Sequence, residues 1–249
     1  MEKPSEYAIN VDRLTKKFGD FTAVDSISFN VHRGEIFGFL GANGAGKSTA
    51  MRMLCGLSIP TSGTAKVAGY NVATQSEPVK RHIGYMSQKF SLYSELTVRQ
   101  NINLFAGIYG LKSDVINERC EMLARELDFT KEMKMPVSIL PLGQQQKLAF
   151  SVATIHRPEV VFLDEPTGGV DPITRRQFWE LIYKTADREE TTVFVTTHYM
   201  DEAEYCGRVS IMVDGRIKAM GPPAALKQEF HADGMDEVFR HLARKAKRQ

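Results

Sequence analysis

Residues 41–49 have the types and spacing needed to hold a chain of phosphates. They fit the pattern G-x-x-x-x-G-K-[ST] at every fixed position, in the order Gly41, Ala42, Asn43, Gly44, Ala45, Gly46, Lys47, Ser48 and Thr49. Glycines let successive backbone N–H groups point inward as a nest for anionic oxygens, in front of a helix N-terminus. Lys47 adds a mobile positive charge, and the Ser48 hydroxyl can bind Mg²⁺. This predicts a nucleotide site; the alternative is a glycine-rich turn before an ordinary helix.

The flanks of this stretch favour the nucleotide site. Residues 36–40 are apolar and predict a buried strand, whereas residues 47–57 place Met51, Leu54 and Cys55 at helical spacing. A strand, a glycine-rich loop and a helix in this order form the context in which the pattern binds phosphate.

Two acids follow a second apolar run. Residues 160–163 predict a central parallel strand, with Asp164 and Glu165 at its C-terminal edge, where ligands bind in open α/β sheets. Buried carboxylates need a cation or a proton-transfer role to offset desolvation. We therefore expect Asp164 to reach Mg²⁺ through water and Glu165 to act as general base on an attacking water. A helix N-cap at Asp164 is the weaker interpretation, because a proline and a glycine pair follow.

Three further positions are informative only in combination. Gln88 ends a strand predicted over residues 83–88 and could contact both Mg²⁺ and a water, although a plain surface glutamine is the ordinary interpretation. His198 ends a strand predicted over residues 191–197 and could donate to a phosphate oxygen, but a capping or core histidine is commoner. Phe18 beside a glycine could stack on a nucleotide base, but a lone phenylalanine more often lies in a core.

Two helix N-termini are also predicted. One opens within residues 140–147, where Pro141 and Leu142 suit a first turn, and its free N–H groups could bind an anion or only water. The other follows Asp171, which is expected to cap a helix over residues 173–186.

The remaining elements complete an α/β fold. Strands are predicted over residues 7–11 and 24–31 with a turn at 16–20, and Asp214 with Gly215 indicates a hairpin. Helices are predicted to close the chain after this hairpin. The whole of residues 1–249 is interpreted as one domain.

The segment after Gln88 changes to helical spacing. Helices predicted over residues 98–109 and 116–127 indicate a helical subdomain of approximately residues 89–155, inserted in the core. Four residues at its entry are apolar but interleaved with polar ones: Phe90, Leu92, Tyr93 and Leu96. They either fill the subdomain core or form an exposed groove for a partner helix.

The composition is that of a globular protein, with 43% hydrophobic and 25% charged residues in 249. No apolar run approaches the roughly 18 residues that span a bilayer, and the first residues lack the features of a signal peptide. Three widely spaced cysteines favour a reducing cytosol. A net charge of +2 indicates no particular partner, and no nucleic acid is expected. The basic tail over residues 240–248 fits a solvated helix end or, less well, attraction to an anionic membrane.

In their order and spacing, these segments resemble the nucleotide-binding subunit of an ATP-binding cassette (ABC) transporter. The match runs over about residues 7–242 and comprises the phosphate loop, Gln88, a signature at 140–144, the acidic pair, residues 168–171 and His198. The resemblance implies a P-loop NTPase core with a mostly parallel sheet, an antiparallel β subdomain and an inserted α-helical subdomain. It also implies ATP and Mg²⁺ as ligands.

The resemblance assigns roles to individual residues. The set expected to act in catalysis is Lys47, Gln88, Glu165 and His198. Within it, Glu165 is the base and His198 the γ-phosphate switch. Magnesium is expected at Ser48, Gln88 and Asp164. Nucleotide contacts are expected from Phe18 on the adenine, from residues 41–49 and, across a dimer, from Gly143, Gln144 and Asp171.

The signature departs from the family's Leu-Ser-Gly-Gly-Gln. Here it consists of Leu140, Pro141, Leu142, Gly143 and Gln144. The serine hydroxyl that would reach the opposite subunit's ATP is absent, a loss of about 1.5–3 kcal/mol, and Leu142 adds bulk. Because Gly143 and the helix N-terminus remain, we expect weaker closure or an altered pose and not an inactive site.

This signature and the ending at residues 236–239 resemble the ATPases of bacterial exporters for drugs, antibiotics or lipid-linked molecules. Expected partners are polytopic membrane permease subunits and a second ABC ATPase subunit, either an identical copy or a paralogue, at the cytoplasmic face of the inner membrane. The alternative is a soluble ABC-type ATPase acting on ribosomes or DNA. A generic P-loop switch or small-molecule kinase leaves the acidic pair and His198 unexplained. The chain could be a whole subunit or one cassette of a tandem protein.

Overall fold

The computed structural model describes residues 6–88 and 92–246, so Phe90 lies outside the described residues. The strands are β1 (Tyr7–Phe18), β2 (Phe21–His32), β3 (Ile36–Gly41), β4 (Ser62–Val67), β5 (Tyr70–Asn71), β6 (Ile83–Met86), β7 (Val160–Asp164), β8 (Thr192–Thr197), β9 (Arg208–Val213) and β10 (Arg216–Gly221). The helices are α1 (Lys47–Leu54), α2 (Ser76–His82), α3 (Val98–Ile108), α4 (Ser113–Glu126), α5 (Leu142–Ala153), α6 (Pro172–Glu189), α7 (Pro223–Glu229) and α8 (Met235–Ala246).

Six strands form the larger sheet, in the order β10-β9-β3-β8-β7-β6. Neighbours from β9 to β6 run parallel, and β10 is antiparallel to β9. Parallel strands end on the same edge, so β3, β8, β7 and β6 bring the loops that follow them to one place. The predicted mostly parallel sheet is confirmed, as is the hairpin at Asp214 and Gly215.

Four strands form a second, antiparallel sheet in the order β2-β1-β4-β5. The two strands predicted near the start of the chain are present but longer. The predicted turn over residues 16–20 is too wide, because Phe18 already pairs with Phe21 across the hairpin. Register shifts after Val11 and after Leu14 interrupt the apolar alternation, which is why the sequence pattern ended β1 too early.

Aromatic side chains fill the space between the two sheets. Rings from both sheets lie with their centroids 5.2 to 6.1 Å apart, and all of them are buried: Phe29, Phe37, Phe39, Phe162 and Phe194. This packing fixes β3, whose end carries the phosphate pattern, against β2 of the second sheet.

The helices between β6 and β7 have a hydrophobic core of their own. Its buried residues include Val98, Ile102, Ala106, Cys120, Leu123, Phe129, Leu148 and Val152. The first of these helices begins with a capping box, in which the Thr97 hydroxyl accepts from the Gln100 amide and the Gln100 side chain accepts from the Thr97 amide. The inserted helical subdomain predicted from the sequence is therefore present.

Some short elements were not predicted, and several boundaries differ from the predicted ones. The strand predicted to end at Gln88, for example, ends at Met86. Helix α2 has a single buried residue, Val79, and β5 has two residues, so neither produces a periodic pattern. Pro141, expected inside the first turn of α5, lies at its N-cap instead.

His156 links the helical subdomain to the sheet and gives a pH-dependent prediction. Its ring stacks on Tyr109, with centroids 3.5 Å apart, and its Nε2 donates to the carbonyl of Ile83 at 3.1 Å. Burial lowers the pKa of His156 from 6.5 to about 4. The folded state therefore binds fewer protons than the unfolded state between these values, so stability is complete above pH 6.5 and falls as the pH drops towards 4.

We expect His156→Phe, which keeps the ring stack, to lose less stability than the parent when the pH falls from 7 to 5. Because part of the ring is exposed, the expected difference is about 1–2 kcal/mol. Urea unfolding at both pH values measures it. The exposed His231 provides the control: His231→Asn should keep the parent's pH dependence. Equal pH dependence in His156→Phe and the parent would contradict the conclusion that burial lowers the pKa of His156.

Candidate active site

The phosphate pattern forms a loop between β3 and α1. Gly44 and Gly46 have φ angles of +81° and +103°, in the region that favours glycine, and Gly46 is the N-cap of α1. The hairpin between β9 and β10 contacts this loop, because the Gly215 amide donates to the carbonyl of Ala45 at 3.1 Å. The loop thus has the inward-facing backbone that suits phosphate.

Lys47 is 4% exposed, and its ammonium lies within the loop. Its Nζ donates to the carbonyls of Gly41 at 2.8 Å and Ala42 at 3.2 Å. The same Nζ lies 3.4 Å from a carboxylate oxygen of Glu165. The positive charge is therefore shared between the loop and the acid after β7.

Asp164 and Ser48 form a site whose oxygens suit Mg²⁺. The Ser48 hydroxyl donates to Asp164 Oδ1 at 3.2 Å, and the Thr196 hydroxyl donates to the same oxygen at 2.7 Å. Asp164 is 5% exposed, so its charge needs a compensating cation. A hydroxyl and one carboxylate fit Mg²⁺ bound with a nucleotide, because this ion takes few protein ligands and keeps phosphate oxygens and waters. Accordingly, the described residues contain no cluster of three or more His, Cys, Asp or Glu that could hold a metal alone.

Glu165 has a φ angle of +49°, which is uncommon for a residue with a side chain. Its amide donates to both the carbonyl and the hydroxyl of Thr196, each at 3.1 Å. Its Oε2 accepts from Gln88 Nε2 at 3.0 Å and lies 2.9 Å from His198 Nδ1. The structure thus brings together four residues predicted to act in catalysis: Lys47, Gln88, Glu165 and His198.

A cavity of about 540 Å³ opens over the phosphate loop. Its lining consists of Phe21, Ala23, Asn43, Gly44, Gly46, Lys47, Ser48, Thr49, Gln88 and Glu165. Phe18, predicted to stack on the base, is outside this lining, and Lys16 Nζ lies 5.2 Å from its ring centroid. Sequence reasoning missed Phe21, which pairs with Phe18 across the turn and is 65% exposed. The sequence feature that could have identified Phe21 is a second aromatic residue directly after the turn.

Of the loop residues, Gly41, Ala42 and Ala45 are not in this lining. Three more predicted nucleotide contacts, at the starts of α5 and α6, also lie outside it. Gly143 packs so closely against Thr174 that a Cβ on it would overlap the Thr174 methyl group. Asp171 caps α6 by accepting from the amides of Ile173 and Thr174, each at 3.0 Å. The hydroxyl of Thr174, together with these two amides, lowers the pKa of Asp171. Gln144 follows Gly143 in the first turn of α5, so within one chain the structure does not bring these three to the phosphate loop.

Comparison with known proteins identifies this arrangement. A family described as ABC transporter matches residues 24–168, more than half of the chain. The chain belongs to the ABC transporter family. Within that family it is an ATP-binding ATPase domain, and the fold class predicted from the sequence is confirmed.

Two relatives show how far the similarity extends. The chain is 48% identical over 230 residues to the probable multidrug ABC transporter ATP-binding protein YbhF of Escherichia coli (strain K12), covering 92% of this chain and 40% of the relative. It is 37% identical over 233 residues to the Nod factor export ATP-binding protein I of Neorhizobium galegae, covering 93% of this chain and 67% of the relative. The chain thus spans about two fifths of the length of the first relative.

Solved ABC structures have the same fold. An ATP-binding subunit of an ABC transporter superposes with a TM-score of 0.84 at 27% identity, covering 94% of this chain and 99% of that one. CbiO1 from Clostridium perfringens, part of the ABC transporter complex cbiONQ, superposes with a TM-score of 0.82 at 27% identity, covering 98% and 97%. In residues 6–88 and 92–246 of this ABC domain, no helix has both the length and the apolar character to cross a membrane.

The close approach at Gly46 gives a prediction for this ABC domain. A Cβ on Gly46 would overlap the carbonyl oxygen of Ala23, whereas one on Gly44 would meet nothing within 4 Å. Both substitutions strain a positive φ, so Gly44→Ala should cost about 1 kcal/mol and Gly46→Ala at least about 2–3 kcal/mol. Urea unfolding of both variants measures the difference. Equal losses would show that the contact with Ala23 does not constrain the loop.

Proposed function

We propose that this ABC domain binds ATP with Mg²⁺, hydrolyses it, and powers an exporter for drugs, antibiotics or lipid-like molecules by ATP-driven dimer closure. One observation carries the hydrolytic part of the proposal. The Glu165 carboxylate lies at the phosphate cavity, where it accepts a hydrogen bond from Gln88 and lies 2.9 Å from His198 Nδ1 and 3.4 Å from Lys47 Nζ. This is the position required of a base that activates water beside a bound phosphate chain.

Each polar residue has a distinct part in the proposed reaction. The loop amides and Lys47 bind the phosphate chain, while Ser48, Gln88 and Asp164 hold Mg²⁺. When bound, this ion would neutralise negative charge on the phosphate chain. Glu165 accepts the proton of the attacking water, and Gln88 and His198 hold its carboxylate in place. His198 then also donates to the γ-phosphate.

A second ABC subunit, identical or paralogous, completes the site in this proposal. Gly143, Gln144 and Asp171 do not line their own chain's cavity, so in this proposal they serve the nucleotide of a facing subunit. Two exposed apolar residues support this arrangement, Leu142 at the start of α5 and Ile173 at the start of α6, with 41% and 72% of their surfaces exposed.

A groove beside Gln88 supports docking of a membrane permease subunit. It lies between the parallel sheet and the helical subdomain and is lined by Tyr85, Met86, Ser87, Leu92, Phe105, Tyr109, Ala149, Val152 and Ala153. Its mostly apolar lining suits one face of an amphipathic helix. Leu92 lines this groove and also packs against both the sheet core and the helical core, so it fits both interpretations of the entry segment. Such docking places the domain at the cytoplasmic face of the inner membrane.

The proposed substrate class follows the relatives. Their names attribute probable multidrug transport to one and Nod factor export to the other. Export of drugs, antibiotics or lipid-like molecules is the corresponding proposal for the protein that contains this chain.

The base assignment predicts the behaviour of Glu165→Gln. Loss of the proton acceptor should reduce ATP hydrolysis by at least about 100-fold while ATP still binds, so an ATP-bound dimer should accumulate. Light scattering after gel filtration with ATP and Mg²⁺ measures the dimer, and phosphate release measures turnover. Glu77→Gln, at an exposed position on α2, is the matched control. Unchanged hydrolysis in Glu165→Gln would contradict the role of base, and co-sedimentation of the parent with ribosomes would favour the soluble alternative.

The variant signature gives a second prediction. Pro141→Ser combined with Leu142→Gly restores the hydroxyl and the small residue, and should tighten the ATP-bound dimer by about tenfold or more. Dimer dissociation constants are compared in the Glu165→Gln background. Pro222→Ser, which changes the N-cap of α7 in the same way, is the control. If the restored signature leaves the dissociation constant unchanged, the departure has no effect on closure.

A further inference from the structure

Glu202 is a buried carboxylate that the proposed reaction does not use. It is 0% exposed and lies in the 3₁₀ segment Met200–Tyr205, four residues after His198. Burying an ionised carboxylate costs several kcal/mol unless it is paired and hydrogen-bonded. The partners of Glu202 therefore indicate which part of the structure this buried carboxylate holds in place.

Those partners come from two other elements near the active site. The hydroxyl of Thr167, two residues after Glu165, donates to Glu202 Oε1. Arg175 on α6 places its Nε 3.6 Å from the same oxygen and donates from Nη1 to Asp201 at 3.0 Å. Its guanidinium also lies 4.3 Å from the ring centroid of Tyr199. One carboxylate thus joins the loop after β7, the start of α6 and the segment after His198.

The electrostatics agree with this geometry. Burial raises the pKa of Glu202, whereas the hydroxyls of Thr167 and Thr197 and the charge of Arg175 lower it. The partners therefore interact with the charged form of the carboxylate and offset part of its desolvation.

A second buried polar side chain holds the same loop at the residue after Thr167. Gln146 on α5 is 1% exposed and donates from Nε2 to the carbonyl of Gly168 at 3.2 Å. The next loop residue, Gly169, lies against the side chain of Leu142. The loop between Glu165 and Asp171 is thus held by Glu202 at Thr167 and by α5 at the two glycines that follow.

This loop determines where two functional residues lie. Glu165 at its start has a left-handed backbone, a conformation that persists only where the surroundings determine it. Asp171 at its end caps α6. We propose that Thr167 and Glu202 form a positioning pair for ATP hydrolysis, which holds this loop so that Glu165 and Asp171 keep their places. The inference rests on the proposed function, because it concerns the same reaction.

Thr167 allows a test with small changes. Thr167→Val removes the hydroxyl at nearly constant volume, Thr167→Ala removes it without placing a methyl group against the carboxylate, and Thr167→Ser retains it. We expect kcat for ATP hydrolysis to fall by about tenfold or more in the first two variants, with KM for ATP within about twofold of the parent. The serine variant should keep kcat within about threefold of the parent.

The control removes a buried threonine hydroxyl elsewhere. Thr191 is 0% exposed and donates to the carbonyl of Pro158 at 3.1 Å, at the opposite end of β8 from His198. Thr191→Val should lower the thermal midpoint as Thr167→Val does, but leave kcat unchanged. All variants are assayed as the purified full chain for phosphate release, and for unfolding by circular dichroism.

Each outcome decides the question. A lower kcat at constant KM, rescued by serine and absent in Thr191→Val, supports the positioning pair. If Thr167→Val and Thr167→Ala fold and retain the parent's kcat, or if neither folds while Thr167→Ser does, the pair is structural only and the inference is overturned. If the parent itself binds but does not hydrolyse ATP, the proposed function fails instead.

Discussion

The active site depends on the backbone of one residue, Glu165. After β7 the chain turns through a positive φ, and the amide of Glu165 is held by the carbonyl and the hydroxyl of Thr196 on the neighbouring strand. Such a conformation costs about 1–3 kcal/mol, which these hydrogen bonds help to offset. As a result, consecutive carboxylates diverge: Asp164 meets Ser48, and Glu165 meets Lys47 and His198. One turn therefore separates the acid proposed to bind Mg²⁺ from the candidate base.

The parallel sheet supplies the rest of this arrangement. Residues far apart in sequence meet because β3, β8, β7 and β6 are neighbours and end at one edge. Long loops are not needed to place them, since Gln88, Glu165 and His198 each lie within two positions of a strand end. Each side chain is thus located by a hydrogen-bonded ladder whose core of stacked phenylalanines limits its movement.

The sequence could predict the elements with strong local patterns. The phosphate loop, the buried strands and the cap at Asp171 each have a short signature whose physical cause lies within a few residues. Features that depend on distant neighbours could not be predicted. Phe21 was missed because its position over the cavity depends on the hairpin, and Gln146 and Glu202 because an isolated polar residue does not reveal its burial. The interrupted register of β1 and the weakly buried α2 left no periodic trace.

The pairing of β3 has a consequence for biosynthesis. The strand that leads into the phosphate loop has β8 and β9 as its neighbours, and both belong to the last quarter of the chain. These contacts span more than 150 positions, so their closure is entropically costly and slow compared with local helix formation. During synthesis, Arg208–Val213 would have to emerge from the ribosome before this ladder could be completed. Acquisition of nucleotide affinity would therefore report that translation of the cassette is nearly finished.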